Sequence, residues 1–142
     1  MLQVRHLLAD KGSDVIATVP DAPVIDAIRT MAEKRIGALL VILDGRLTGI
    51  VSERDYARKV VLRGRSSSDT KVAEIMTAEV ITVGPDHTVD QCMRICTDQR
   101  VRHLPVVDGD AVIGVLSIGD LVKAVINEQH EQIEQLQRYI AG

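Results

Sequence analysis

Aromatic side chains are nearly missing from this chain, which has two Tyr and neither Trp nor Phe. Proteins that bind single-stranded nucleic acid stack bases on aromatic rings, so that class is disfavoured. A basic excess is missing too: net charge is −3 and the pI is near 5.8. No nucleic-acid partner is therefore expected. Apolar runs extend over only a few residues, too few to cross a bilayer, so no membrane partner is expected either. The opening Met1-Leu2-Gln3-Val4-Arg5-His6-Leu7-Leu8 lacks the long apolar region and cleavage site of an export signal. Cysteine is limited to Cys92 and Cys96, and a reducing, cytoplasmic setting is the expectation.

Catalytic constellations are also lacking. No nucleophile elbow, partnered Cys–His pair or phosphate-cradling glycine loop occurs, so the chain reads as no enzyme. Asp55 and Asp120 as a facing acid/base pair is a minor alternative. Cys92 and Cys96 stand four apart, a spacing that can share a metal. They fall at core-facing helix positions, where Cys behaves as a small hydrophobe, so no metal site is expected. What the chain does have is 46% hydrophobic residues in 142, almost all aliphatic. That composition suits a buried α/β sheet.

The chain repeats itself. Residues 15–61 align with 80–126 at a constant offset of 65 and without a gap. Pro20-Asp21 meets Pro85-Asp86, and Arg29, Arg35 and Leu39 meet Arg94, Arg100 and Leu104. Gly49, Ser52 and Asp55 meet Gly114, Ser117 and Asp120. The lead-in Val4–Leu8 echoes Val72–Met76. Each unit reads as β-α-β-β-α, an α/β (α+β) class. Strands are expected over Val15–Val19 and Val80–Val83, with hairpin strands around Asp44-Gly45 and Asp108-Gly109. Val24, Ala27, Ile28 and Met31 mark one face of a helix, and Val89, Cys92, Met93 and Cys96 repeat the spacing. Expected boundaries are 1–63 for the first repeat with its lead-in helix, 64–71 for a polar linker, 72–126 for the second repeat and 127–142 for a helical extension. One repeat is too small to bury a core alone, so two are expected to pack with pseudo-two-fold symmetry.

Three features, each present twice, carry a resemblance. They are a strand followed by Pro-Asp, a middle strand exemplified by Arg102-His103-Leu104-Pro105-Val106-Val107, and a glycine, two apolar residues and Ser-x-x-Asp. The sequence resembles the CBS (cystathionine-β-synthase-type) domain family over roughly residues 4–126, with Leu40 where Pro is usual. The resemblance implies a regulatory tandem pair, a Bateman module. Its ligand would be an adenine-containing nucleotide: AMP first, with ADP, ATP, NAD(H) or S-adenosylmethionine as alternatives. Ligand would sit in a cleft between the repeats, in a homodimer that signals to an effector protein.

Two readings of the Ser-x-x-Asp turns stand side by side. Ser52 with Asp55, and Ser117 with Asp120, can form capping boxes that close helix N-termini. The resemblance implies that the same carboxylates hold a ribose. Arg54 can reach phosphate, whereas Gly119 in the second motif cannot, so unequal sites are expected. Arg102 and His103 are basic positions that the family often sets against phosphate; Gly37 and Ala38 stand there in the first repeat and leave room for a flat base. Thr18, Thr82 and His87 are further candidates to line the ligand, each with a plain surface or strand role as the alternative. Arg54, Arg58, Lys59, Arg63, Arg65 and Lys71 read as a solvated basic face. On the last helix Val122, Ile126, Gln129, Ile133, Leu136 and Ile140 alternate 4 and 3 apart, a short heptad seam that suits packing against the module or a second chain. A dimer with no ligand at all is the competing function.

Overall fold

The computed structural model of the chain describes residues 1–141. Its elements are α1 (Val4–Lys11), β1 (Ala17–Thr18), α2 (Val24–Lys34), β2 (Ala38–Leu43), β3 (Arg46–Ser52), α3 (Glu53–Tyr56) continued by a π-helical turn (Ala57–Val61), α4 (Val72–Ile75), α5 (Val89–Gln99), β4 (His103–Asp108), β5 (Ala111–Ser117) and α6 (Ile118–Ala141). Helices combined with two small sheets make an α+β fold. Among the described residues no helix is long and apolar enough to cross a membrane. By its contacts the chain divides into two compact units, one of residues 14–81 with 109–112, the other of residues 1–13, 82–108 and 113 onward.

The unit built on the first repeat buries one aliphatic cluster. Val24, Ala27 and Met31 of α2 meet Leu39 and Val41 of β2, Val51 of β3, Val60, and Val72 and Ile75 of α4. The i, i+3, i+7 spacing of α2 thus faces the core, as its periodicity requires. Helix α5 buries Val89, Cys92 and Cys96 in the same way. Burial raises the Cys92 thiol to about 11, with Cys96 beside it adding to the effect. Both thiols are free and buried. Each of these two helices ends on an arginine in the left-handed region, Arg35 and Arg100, both at φ 55°, a conformation that costs a non-glycine residue about 1 kcal/mol.

The first strands are shorter than the β-branched runs suggest. In the first repeat only Ala17 and Thr18 pair, parallel to Leu40 and Val41. In the second, the expected strand Val80–Val83 is reduced to one bridge, Val83 with Val106. Leu40 donates its N–H to the Ile16 carbonyl at 3.4 Å; Pro105 holds that place in β4 and has no N–H to give. The hairpin turns occupy matching repeat positions. Asp44 and Gly45 both have positive φ, as a type I′ turn demands. The second turn falls at Gly109-Asp110, one residue later than the Asp-Gly pair suggests, with positive φ at Gly109.

The two lead-in helices dock alike, but not on their chain neighbours. Val72 and Ala73 of α4 donate backbone N–H groups to the carbonyls of Ala22 and Pro20, both at 2.9 Å. Val4 and Arg5 of α1 donate to His87 and Pro85, at 2.9 and 3.1 Å. Helix α1 therefore adjoins the first repeat in sequence and packs in the unit of the second. Each docking satisfies helix N-terminal donors that would otherwise lack partners. Segment 64–71 has structural work as well as a connecting role: Thr70 and Ser67 carbonyls accept from Val24 and Ile25 N–H at 2.8 and 3.0 Å. These bonds cap α2, whose N-cap residue Pro23 offers no side-chain bond.

The repeated glycines mark where the lead-in segments press closest. A Cβ added to Gly49 would lie 2.6 Å from Met76 Sδ and 3.0 Å from the Thr77 carbonyl oxygen. One added to Gly114 would lie 2.6 Å from Leu8 Cδ2. Thr77 is held to Ile50 by two backbone hydrogen bonds, at 2.8 and 3.0 Å, whereas the end of a leucine can turn aside. Both Gly→Ala changes are expected to destabilise by about 1–3 kcal/mol, Gly49→Ala more than Gly114→Ala. Urea unfolding of the two variants checks the order.

Candidate functional site

Both Ser-x-x-Asp turns are closed capping boxes. The Asp55 N–H donates to Ser52 Oγ at 3.2 Å, and the Ser52 N–H donates to Asp55 Oδ2 at 3.0 Å. In the second repeat the same two bonds measure 3.1 and 2.8 Å between Asp120 and Ser117. Strands β3 and β5 deliver the serines, and the helices that follow carry the acids. Backbone bonds bring the start of each middle strand alongside. Glu53 N–H donates to the Gly37 carbonyl at 3.0 Å, and Ile118 N–H to the Arg102 carbonyl at 2.8 Å. Ala38 stands opposite Ser52 in the β2–β3 register.

In each unit a lysine completes the acid. Lys59 Nζ lies 3.2 Å from Asp55 Oδ1 and donates to the Ile75 carbonyl at 2.8 Å. Lys11 Nζ donates to Asp120 Oδ2 at 2.6 Å and to the Val115 carbonyl at 2.7 Å. Each lysine therefore ties its acid to a backbone carbonyl, that of α4 in one unit and that of β5 in the other. Burial alone pushes the Asp120 carboxyl up; the Lys11 bond and the Ser117 bonds together outweigh it and hold the group below the usual carboxylate range.

The other sequence candidates fall in several places. Gly37 and Ala38 lie beside Ser52, and Arg102 and His103 lie beside Ser117. Arg102 is exposed and His103 half-buried. Thr18 is half-buried on β1, opposite Val41. Thr82 is half-buried just ahead of the Val83 bridge. His87 Nδ1 accepts the Gly84 N–H at 2.9 Å, so that ring nitrogen holds its own turn. Arg54 and Gly119 are exposed at the starts of their helices.

The unit of the second repeat contains a cavity of about 500 Å³ between α1 and α6, within the size range of ligand pockets. His6, Asp10, Lys11, Asp120, Lys123 and Asn127 are among its lining. Sequence reasoning missed the contributions of α1. Lys11 and Asp120 stand 109 residues apart, and Lys11 lies beyond the five-residue echo between the lead-ins. The second turn, Ile118-Gly119, carries no cation within it, while Lys11 and Lys123 line the cavity that Asp120 borders. Among the described residues no group of three metal-binding side chains gathers.

Comparison with known proteins places these repeats. A family model described as the CBS domain matches residues 5–62 and again 72–127. The mitochondrial CBS domain-containing protein CBSX3 of Arabidopsis thaliana is 46% identical over 136 residues, covering 92% of this chain and 66% of that protein; the chain thus spans about two thirds of the plant relative's length. A CBS-domain protein from Burkholderia ambifaria superposes with a TM-score of 0.86 at 52% identity, covering 89% of this chain and 96% of the other. The CBS domain pair of MJ0100, solved in complex with 5′-methylthioadenosine and S-adenosyl-L-methionine, has a TM-score of 0.81 at 23% identity, covering 90% and 98%; that likeness is one of fold. Two matched repeats, with their paired turns and docked lead-ins, establish that this chain belongs to the CBS-domain family.

Proposed function

We propose that this CBS pair is a regulatory module, not a catalyst, and that it binds an adenine-containing nucleotide, AMP before ATP, NAD(H) or S-adenosylmethionine. The observation that carries this reading is Asp120, a capped carboxylate at the edge of a cavity of about 500 Å³ that also presents Lys11 and Lys123. A carboxylate already oriented by Ser117 and Lys11 accepts both hydroxyls of a ribose at little cost in side-chain ordering, and the lysines offer charge to a phosphate. Asp55 is the counterpart in the first repeat, with Ser52, Gly37, Ala38 and Thr18 around the sugar and base and Arg54 toward phosphate. Arg102, His103, Thr82, His87 and Gly119 complete the second set. The fold's capacity for adenosine ligands in the MJ0100 pair supports the ligand class.

The output resides in a homodimer and in an effector protein that the module contacts, driven by the ligand's differential affinity for two states. The two buried free thiols suit a reducing compartment such as the cytoplasm. A second reading, a dimerising module that binds no ligand, draws on the capping boxes, which account for both serines and both acids without one.

Calorimetry with AMP, ADP, ATP, NAD, NADH and S-adenosylmethionine separates the two readings. At least one nucleotide is expected to bind, and Asp120→Asn or Asp55→Asn, which keep the cap's shape, should weaken it about tenfold or more. No heat from any of the six would leave the dimerising reading standing alone.

The Lys11–Asp120 pair also sets a pH dependence. The carboxyl of Asp120 is depressed in the folded state, so its contribution is present above the unfolded value of about 3.9 and fades as pH falls through the depressed one. Lys11→Met removes the ion pair and leaves burial opposed only by the Ser117 bonds. The melting-temperature gap between wild type and Lys11→Met is expected to be wide at neutral pH and to shrink toward about pH 2. An equal gap at both ends, followed by circular dichroism, would refute the ion-pair account.

A further inference from the structure

The family match stops at residue 127, yet α6 runs on to Ala141. Leu121 and Ala124 bury the start of that helix. On its other side Val122, Ile126, Ile133, Leu136 and Ile140 are exposed, from 40% at Val122 to 81% at Ile140. With Gln129 they form the seam of a heptad: Ile126, Ile133 and Ile140 at a, and Val122, Gln129 and Leu136 at d. From Val122 to Ile140 the flanking e and g positions are Lys123, Val125, His130, Gln132, Gln137 and Tyr139, with no carboxylate or Arg among them and Lys123 as the one lysine. Glu128, Glu131, Glu134 and Arg138 all fall at b, c or f, away from the seam. Beyond Lys123 at its start, the apolar stripe has uncharged borders, so it meets a copy of itself with little repulsion and gives a charged partner little to recognise.

We propose that α6, from Val122 to Ile140, pairs with α6 of a second copy of this chain as a parallel, in-register two-stranded coiled coil. Isoleucine at a with leucine at d favours two parallel strands. Gln129 fixes orientation. In the parallel pair it faces Gln129 of the second copy, and the two amides can donate to and accept from each other. In the antiparallel pair with the same seam it faces Ile133 and its amide stays unpaired, which is unfavourable. A free helix of this length is marginal in water because nucleation is costly. Here Leu121 and Ala124 seat the first turns on the folded unit, so pairing extends a helix already begun.

The inference rests on the homodimer of the preceding reading and on nothing in its ligand assignment. Its test is thiol oxidation of the full chain, with sedimentation velocity alongside. The native thiols are buried and contribute little background. Gln129→Cys is expected to oxidise mostly to a covalent dimer, and Glu131→Cys, on the outer face, at least tenfold more slowly. Adding Ile133→Asp to Gln129→Cys should abolish the cross-link while the melting temperature of the exposed-site variant stays near wild type. Gln129→Cys cross-linking no faster than Glu131→Cys, in a chain that still sediments as a dimer, overturns the coil and leaves the dimer reading intact. A monomer overturns both. Preferential cross-linking between one Gln129→Cys chain and one Ile133→Cys chain overturns the parallel arrangement.

Discussion

The docking of a short lead-in helix on a Pro-Asp turn organises each unit of this protein. Val72 and Ala73 bond to Ala22 and Pro20, while Val4 and Arg5 bond to His87 and Pro85. Those four donors belong to helix N-termini, where no intrahelical acceptor exists. Once the helices are seated, Met76 and Thr77 crowd the space a side chain at 49 would enter, and the end of Leu8 does so less rigidly at 114. The same seating buries Val4, Leu7, Val72 and Ile75, and in the unit of the second repeat it brings Lys11 to Asp120.

The paired carboxylates show how one motif reaches one electrostatic result by two routes. Asp55 takes its lysine from the next turn of its own chain segment, at i+4. Asp120 takes Lys11 from α1, and that lysine also satisfies the Val115 carbonyl. In the first repeat the carbonyl of Ile50, which matches Val115, instead accepts from the Thr77 N–H at 2.8 Å. A lysine in one unit thus does what a backbone bridge does in the other. Each acid is thus held in one orientation by its serine and its lysine.

The repeats differ where one residue removes a hydrogen bond. Pro105 stands where Leu40 stands in the first repeat, and the missing N–H shortens a parallel ladder to a single bridge. The ends of α2 and α5 are by contrast alike, with Arg35 and Arg100 in the same left-handed region at φ 55° and ψ 47° and 43°. Matching turns at 44–45 and 109–110 follow from the same repeat spacing, although their glycines sit at different places in the turn.

Local pattern alone determined the duplication, the core faces of α2 and α5, the hairpins and the capping of both Ser-x-x-Asp turns. Burial periodicity and caps act over a few residues, so Val24, Ala27, Met31, Ser52 and Ser117 announce their roles in sequence. Tertiary structure decided that α1 serves the second repeat, that Lys11 meets Asp120 from 109 residues away, and that a cavity opens between α1 and α6. It also decided that Ser67 and Thr70, in the connecting segment, cap α2. These outcomes depend on which unsatisfied donor finds which carbonyl after the chain has turned back on itself, and that choice is made by packing across the fold, where no short-range pattern reaches.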